Sequence, residues 1–167
     1  WVTQTVDSSG DTGYYTSLAL DANGDPRISY YETVARRLKY ARWSAGNWIT
    51  ETVDGNVGGY TSLKLDGAGN PHIAYQNRYF DLMYARWTGA AWVTQTVDGG
   101  AYVGYYASLA LDSAGNPHIA YYESVPANGT GKLKHAYWTG AAWVIQTVDS
   151  GGNVGEHSAL ALDADDR

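Results

Sequence analysis

Apolar positions along this chain alternate with small or polar ones in short runs, and the runs return in a fixed order. The phrase SLALD at 17–21 comes back as SLKLD at 62–66, SLALD at 108–112 and ALALD at 159–163. Leucine at every second position is the period of a strand, not of a helix. A turn follows each of the first three: ANGDP at 22–26, GAGNP at 67–71 and SAGNP at 113–117. Gly and Asn tolerate positive φ in such turns, and Pro opens the next strand, where a missing N–H costs least. The second strand is RISYYE at 27–32, HIAYQN at 72–77 and HIAYYE at 118–123, dominated by β-branched and aromatic side chains. A variable loop, short at 78–81 and long at 124–131, leads to LKYARW at 38–43, LMYARW at 82–87 and LKHAYW at 133–138. A four-residue turn then enters a fourth strand that begins with tryptophan.

That fourth phrase appears four times: WVTQTVD at 1–7, WITETVD at 48–54, WVTQTVD at 92–98 and WVIQTVD at 143–149, with tryptophans 47, 44 and 51 residues apart. Four antiparallel strands in a unit of this length predict a β-propeller blade. The fold class expected is all-β, a propeller of four-stranded antiparallel blades with about three and a half in the chain. The expected layout is a single propeller segment over 1–167: a partial blade at 1–7, blades at about 14–54, 60–98 and 105–149, and a partial blade at 157–167. A blade has two faces to bury, so Leu18 and Leu20 are expected on one and Ala19 on the other; Lys64 in place of Ala19 marks a face partly wet near the channel. Two readings of the unfinished count stay open. One is a piece of a longer repeat protein. The other is a homo-oligomer in which chains complete one ring. Either way, blade faces left uncovered in a monomer are an exposed apolar surface.

Composition changes this picture little. Seven Trp, fifteen Tyr and twenty Gly against one Phe fit many short strands and tight turns. With no cysteine there is no disulfide framework or thiolate metal site. A net charge of −6 argues against a nucleic-acid partner. Arg36, Arg37 and Lys39 form only a local cluster, expected in a solvated loop. No apolar run nears the roughly 18 residues of a membrane span. Trp1 already lies inside a repeat, so any leader falls outside this sequence.

The unit VGYYASLALDSAGNPHIAYYE…LKHAYWTGAAWVIQTVD resembles the tandem propeller repeats of secreted and cell-surface bacterial and archaeal proteins. LALDSAGNPHIAYYE is similar to NHL-type repeats, and HAYWTGAAWVIQTVD to the W-x-G-x-x-W segments of bacterial seven-bladed propeller lectins. The resemblance implies an extracellular or cell-surface location and a fold that hosts many functions. The S-x-D-x-G-x-T-W box of sialidases is absent as such.

Candidate chemistry is thin. Glu32 and Glu123 end equivalent strands, with Asn77 between them in the series; an acid–base pair would sit there, but strand-end caps have the same signature. Asp21, Asn23 and Asp25 have calcium-like spacing, yet offer too few carboxylates, and a hairpin turn explains them better. His72 and His118 share a strand position a whole blade apart, which does not converge on a metal. His135 stands where Tyr40 and Tyr84 stand and is expected to pack as an aromatic; His157 in a loop tells nothing. Asn128-Gly129-Thr130 fits a glycosylation acceptor and marks an exposed loop. The aromatics carry most promise. Trp43, Trp87 and Trp138 close the third strand, and Trp48, Trp92 and Trp143 open the fourth. Each pair either staples its hairpin or offers a stacking platform for sugar rings. Tyr14, Tyr15, Tyr60, Tyr105 and Tyr106 enter the innermost strand, with Tyr60 and Tyr105 as candidate ligand contacts at the channel mouth. The function expected is a non-catalytic recognition or scaffold module, lectin-like, with glycans or a protein as partner and no cofactor. A glycosidase or lyase and a purely structural assembly element are the alternatives.

Overall fold

A computed structural model describes all residues, 1–167. It contains twelve strands and no helix. The first sheet holds β1 (Thr12–Leu20), β2 (Pro26–Glu32), β3 (Arg37–Ser44) and β4 (Asn47–Asp54) in that order. The second holds β5 (Val57–Leu65), β6 (Pro71–Asn77), β7 (Leu82–Trp87) and β8 (Trp92–Asp98). The third holds β9 (Tyr105–Leu111), β10 (Pro117–Val125), β11 (Thr130–Trp138) and β12 (Trp143–Asp149). Every neighbouring pair is antiparallel. Pro26, Pro71 and Pro117 each open a second strand, where no ladder donor is lost.

The turns ahead of those prolines are closed by aspartate. Asp66 Oδ1 accepts from the N–H groups of Ala68 and Asn70, and Asp112 Oδ1 does the same for Ala114 and Asn116. Asp21 Oδ1 takes the N–H groups of Asn23 and Asp25. These are Asx turns, so the alternate acidic spacing is local backbone chemistry.

Three of the expected elements differ in the structure. The region at 124–131 is a longer hairpin: Val125 pairs with Thr130 and Ser124 with Gly131, leaving only 126–129 as a loop. Arg37 and Lys39 are in β3, not a solvated loop, while Arg36 stays in the turn before it; the Lys39 ammonium lies 3.0 Å from the Asp7 carboxylate. Segments 1–7 and 157–167 form no regular strand. They still dock: Trp48 Nε1 donates to Gln4, Tyr30 donates to Asp7, and the Leu160 N–H donates to Ser108 Oγ.

The core is two slabs, each between adjacent sheets. Leu38, Tyr40, Val57, Leu63, Ile73, Tyr75 and Ala85 fill the first, with Ala19 against it. Ala74, Leu82, Tyr84, Val97, Val103, Leu109, Ile119, Tyr121 and Ala136 fill the second. Contacts between sheets run through the inner strands, β1 to β5 and β5 to β9. Polar clamps repeat at the same places. Ser17 and Ser62 hydroxyls accept from the N–H groups of Leu63 and Leu109. Tyr75 donates to Asp54 and Tyr121 to Asp98, across from sheet to sheet. Burial alone would raise the Asp98 carboxyl, but the Tyr121 hydroxyl, the Gly100 N–H and Lys134 outweigh it and hold it below the usual range. Leu18 and Leu20 show what a missing neighbour does. They are 62 % and 61 % exposed, while Leu63 and Leu109 at the position of Leu18 are 1 % and 0 %.

Candidate functional site

Strand alternation places charge at the outer end of each core slab. In β3, Leu38, Tyr40 and Arg42 share one face. Leu38 and Tyr40 are buried against the second sheet, and Arg42 emerges beyond them. Leu82, Tyr84 and Arg86 in β7 repeat the arrangement towards the third sheet. On β4, Glu51 lies opposite Tyr40; on β8, Gln95 lies opposite Tyr84. Facing them, the next sheet contributes its Gly-Asn-Pro turn and its tryptophans. The result is one cleft per pair of sheets. The first, about 310 Å³, is lined by Arg27, Tyr40, Arg42, Glu51, Asn70, Pro71 and Trp87. The second, about 320 Å³, is lined by His72, Tyr84, Arg86, Gln95, Asn116, Pro117, Trp138 and Trp143.

The tryptophans divide between building and lining these clefts. Each pair meets edge to face across its register position, with ring centroids 5.4 Å apart for Trp43 and Trp48, 5.7 Å for Trp87 and Trp92, and 5.6 Å for Trp138 and Trp143. Trp87 lines the first cleft, and Trp138 and Trp143 the second. Trp92 and Trp143 also pack edge-on against Tyr40 and Tyr84 of the preceding sheet, each at 5.4 Å. Trp43 and Trp48 belong to neither cleft; the Trp43 carbonyl accepts from Arg27 instead.

The two clefts differ in how the indole N–H is met. Trp143 donates to Gln95 Oε1 at 3.1 Å, as Trp48 donates to Gln4. Trp92 Nε1 is buried with no partner. Glu51, at the position of Gln4 and Gln95, does not take it.

The neighbouring titratable groups are shifted by burial. The Tyr40 hydroxyl is pushed up to about 12 by burial, and Tyr84 is raised as well. His72 Nδ1 lies 2.5 Å from the Tyr84 hydroxyl and its Nε2 lies 3.6 Å from Asp66. Burial pulls the imidazole below its ordinary value more than Asp66 restores it, so His72 is neutral at pH 7. In the third sheet, His118, His135 and Tyr137 stack with centroids 5.3 to 5.7 Å apart. No group of three or more His, Asp or Glu side chains is placed to hold a metal ion. Glu32 caps the Ala35 N–H, and Glu123 is tied to Lys132 and Lys134.

Tyr60 and Tyr105 lie elsewhere, on the inner edge. Tyr60 packs 4.4 Å from Tyr15 and 5.0 Å from Tyr106, and Tyr105 lies 5.4 Å from Tyr60. His157 continues this row, 4.0 Å from Tyr106. Tyr15, Tyr60, Tyr106 and His157 hold φ of 51°, 53°, 52° and 53°, a left-handed backbone that bulky residues rarely adopt. His157 is therefore the fourth member of a series, legible by aligning VGEHSALALD with VGYYASLALD.

Residue-type reasoning had passed over Arg42, Arg86, Glu51 and Gln95. Their signal was present: ARW occurs at 41–43 and 85–87, and Glu51 is the one charged departure at its place in the tryptophan phrase.

No protein-family model matches this sequence, and no curated protein is similar to it in sequence. Solved structures are. A fucose lectin from Kordia zhangzhouensis, in complex with methyl-fucoside, superposes with a TM-score of 0.55 at 19 % identity, covering 81 % of this chain and 99 % of that one. A triple arginine-to-alanine variant of AofleA from Arthrobotrys oligospora gives 0.60 at 17 % identity, over 84 % of this chain and 44 % of that one. An ulvan lyase of a new polysaccharide lyase family gives 0.61 at 14 % identity, over 83 % and 44 %. The chain thus spans nearly all of the Kordia lectin and less than half of the other two. At these identities the likeness shows the fold alone: an all-β, propeller-like array of four-stranded sheets.

Proposed function

We propose that this chain is a carbohydrate-recognition module of the propeller type, about three and a half blades long, that holds saccharide units in the clefts between successive blades. The partial blades are 1–7 and 157–167 and the full ones 14–54, 60–98 and 105–149. The observation that carries this reading is the repeat of one cleft plan between both pairs of sheets: arginine and a carboxylate or amide on one wall, tryptophan and a Gly-Asn-Pro turn on the other. Sugar rings present C–H faces to indoles and hydroxyls to charged or amide groups, so this mixture suits them. The structural likeness to two carbohydrate-associated classes, lectin and lyase, points the same way. Two clefts in one rigid array gain from avidity. Tyr60 and Tyr105 form a separate contact surface on the inner edge. The module acts at the cell surface or outside the cell, and copies of it cover one another's open faces.

The test is titration with a panel of methyl glycosides, followed by indole fluorescence and calorimetry. Trp87→Ala is expected to weaken binding at the first cleft by at least ~tenfold, about 1.4 kcal/mol, with the circular dichroism of the sheets intact. Unaltered binding would remove the first cleft from the reading.

A second reading has one observation in its favour. Asp66, His72 and Tyr84 stand in line beside Arg86, a combination found only in the second sheet. Such a line is able to move a proton. The buried Tyr84 hydroxyl, however, is raised above its ordinary value, and it surrenders its proton poorly at neutral pH. Binding without chemistry is the better account.

A further inference from the structure

The two clefts share a plan and differ in two wall residues, Glu51 against Gln95 and Arg27 against His72. Arg27 is already engaged, donating to Asp21 and to the Trp43 carbonyl. Resting on the carbohydrate-binding reading, we propose that the cleft between the second and third sheets selects a saccharide with an anionic substituent, a carboxylate or a sulfate ester, held on Arg86. The residue at 51 and 95 is what separates it from the first cleft, which takes neutral sugars.

Arg86 is exposed, its guanidinium makes no hydrogen bond or ion pair within the protein, and no carboxylate lines its cleft. Gln95 is uncharged, and its carbonyl is already occupied by the Trp143 N–H. Asp66 lines an adjoining recess that Arg86 also borders, and its oxygens are taken by the Ala68 and Asn70 N–H groups and the Asn70 amide. An anion that presents two oxygens, carboxylate or sulfate, therefore meets a guanidinium fork with two parallel donors and no carboxylate within the cleft. In the first cleft the same anion meets Glu51, whose carboxylate has no protein donor. That carboxylate, beside Arg42, is an acceptor for the hydroxyls of a neutral ring. The third sheet has Tyr137 where the others have arginine, so it does not repeat either site.

The exchange is testable by gain of function. The probes are methyl glucuronide, methyl glucoside 6-sulfate and methyl glucoside, titrated by calorimetry at low and high salt. The unaltered chain is expected to bind one equivalent of each charged probe, more weakly as salt rises. Arg86→Gln and Gln95→Glu each lower that affinity by at least ~tenfold, the weight of a hydrogen bond to a charged group. Glu51 leaves the equivalent Trp92 N–H unmet without loss of the sheet, so Gln95→Glu is expected to fold, and circular dichroism of the variant checks it. Glu51→Gln raises the stoichiometry for charged probes from one to two. The proposal is overturned if charged probes bind equally well to Arg86→Gln and Gln95→Glu, or if Glu51→Gln adds no equivalent. Binding of neutral probes with refusal of charged ones defeats this assignment alone. Refusal of every saccharide, in this set and in the wider glycoside panel, defeats the carbohydrate reading as well.

Discussion

Leu18, Leu63 and Leu109 occupy one position in three successive sheets, and alanine at each should cost very different amounts. Leu→Ala removes three carbons, about 2.4 kcal/mol of transfer free energy when the side chain is fully buried. Leu109 is 0 % exposed and sits among Ile119, Tyr121 and Leu82. A cavity there adds to the transfer cost, for a total of about 3–4 kcal/mol. Leu63, 1 % exposed, should match it. Leu18 is 62 % exposed, so less than half of the transfer cost applies and no closed cavity forms, leaving at most about 0.9 kcal/mol. Urea unfolding followed by both far-ultraviolet dichroism and tryptophan fluorescence measures all three, and coincidence of the two probes checks that one transition is being read. The series is run at several protein concentrations. A small, concentration-independent loss for Leu18→Ala means that its face is open in solution. A loss as large as that of Leu109→Ala refutes the open face. If that loss also grows with protein concentration, a second copy covers Leu18, as the homo-oligomer reading requires.

Glu51→Gln should stabilise the fold by about 1 kcal/mol, because the amide gives the orphaned Trp92 N–H the acceptor that Gln95 gives Trp143; a lower unfolding midpoint would contradict it. Ser62→Ala leaves the Leu109 N–H without its 3.0 Å acceptor and should cost about 1–3 kcal/mol in the same assay. Asp66, Asp98 and Asp112 have folded values held below their ordinary ones, so the stability they supply is complete above about pH 4 and is lost as pH falls below it. Acid unfolding with a midpoint at pH 5 or higher would show that these carboxylates are not held as the structure has them. Gly131→Ala would set a Cβ 2.0 Å from the Tyr122 ring, and should lower the melting temperature by several degrees, as a strained core substitution does.

The sequence alone determined the repeat, the order of strands and the faces they present, because alternation and turn chemistry are local. Leu18 and Leu63 are written alike, and both are strand residues. Pro26, Pro71 and Pro117 mark strand starts in sequence and in space. What tertiary structure decided is which of those equal residues is buried, since burial depends on a neighbouring sheet and not on the residue. It also decided the site. Arg42 and Trp87, or Arg86 and Trp138, stand on opposite walls of a cleft but more than forty residues apart in the chain. Reading one unit at a time pairs each tryptophan with its own hairpin and never with the arginine of the unit before. The difference between Glu51 and Gln95 is visible as one letter. Its meaning depends on the Trp92 and Trp143 indoles of the next sheet, one left without an acceptor and one satisfied. Packing between sheets turns that letter into chemistry.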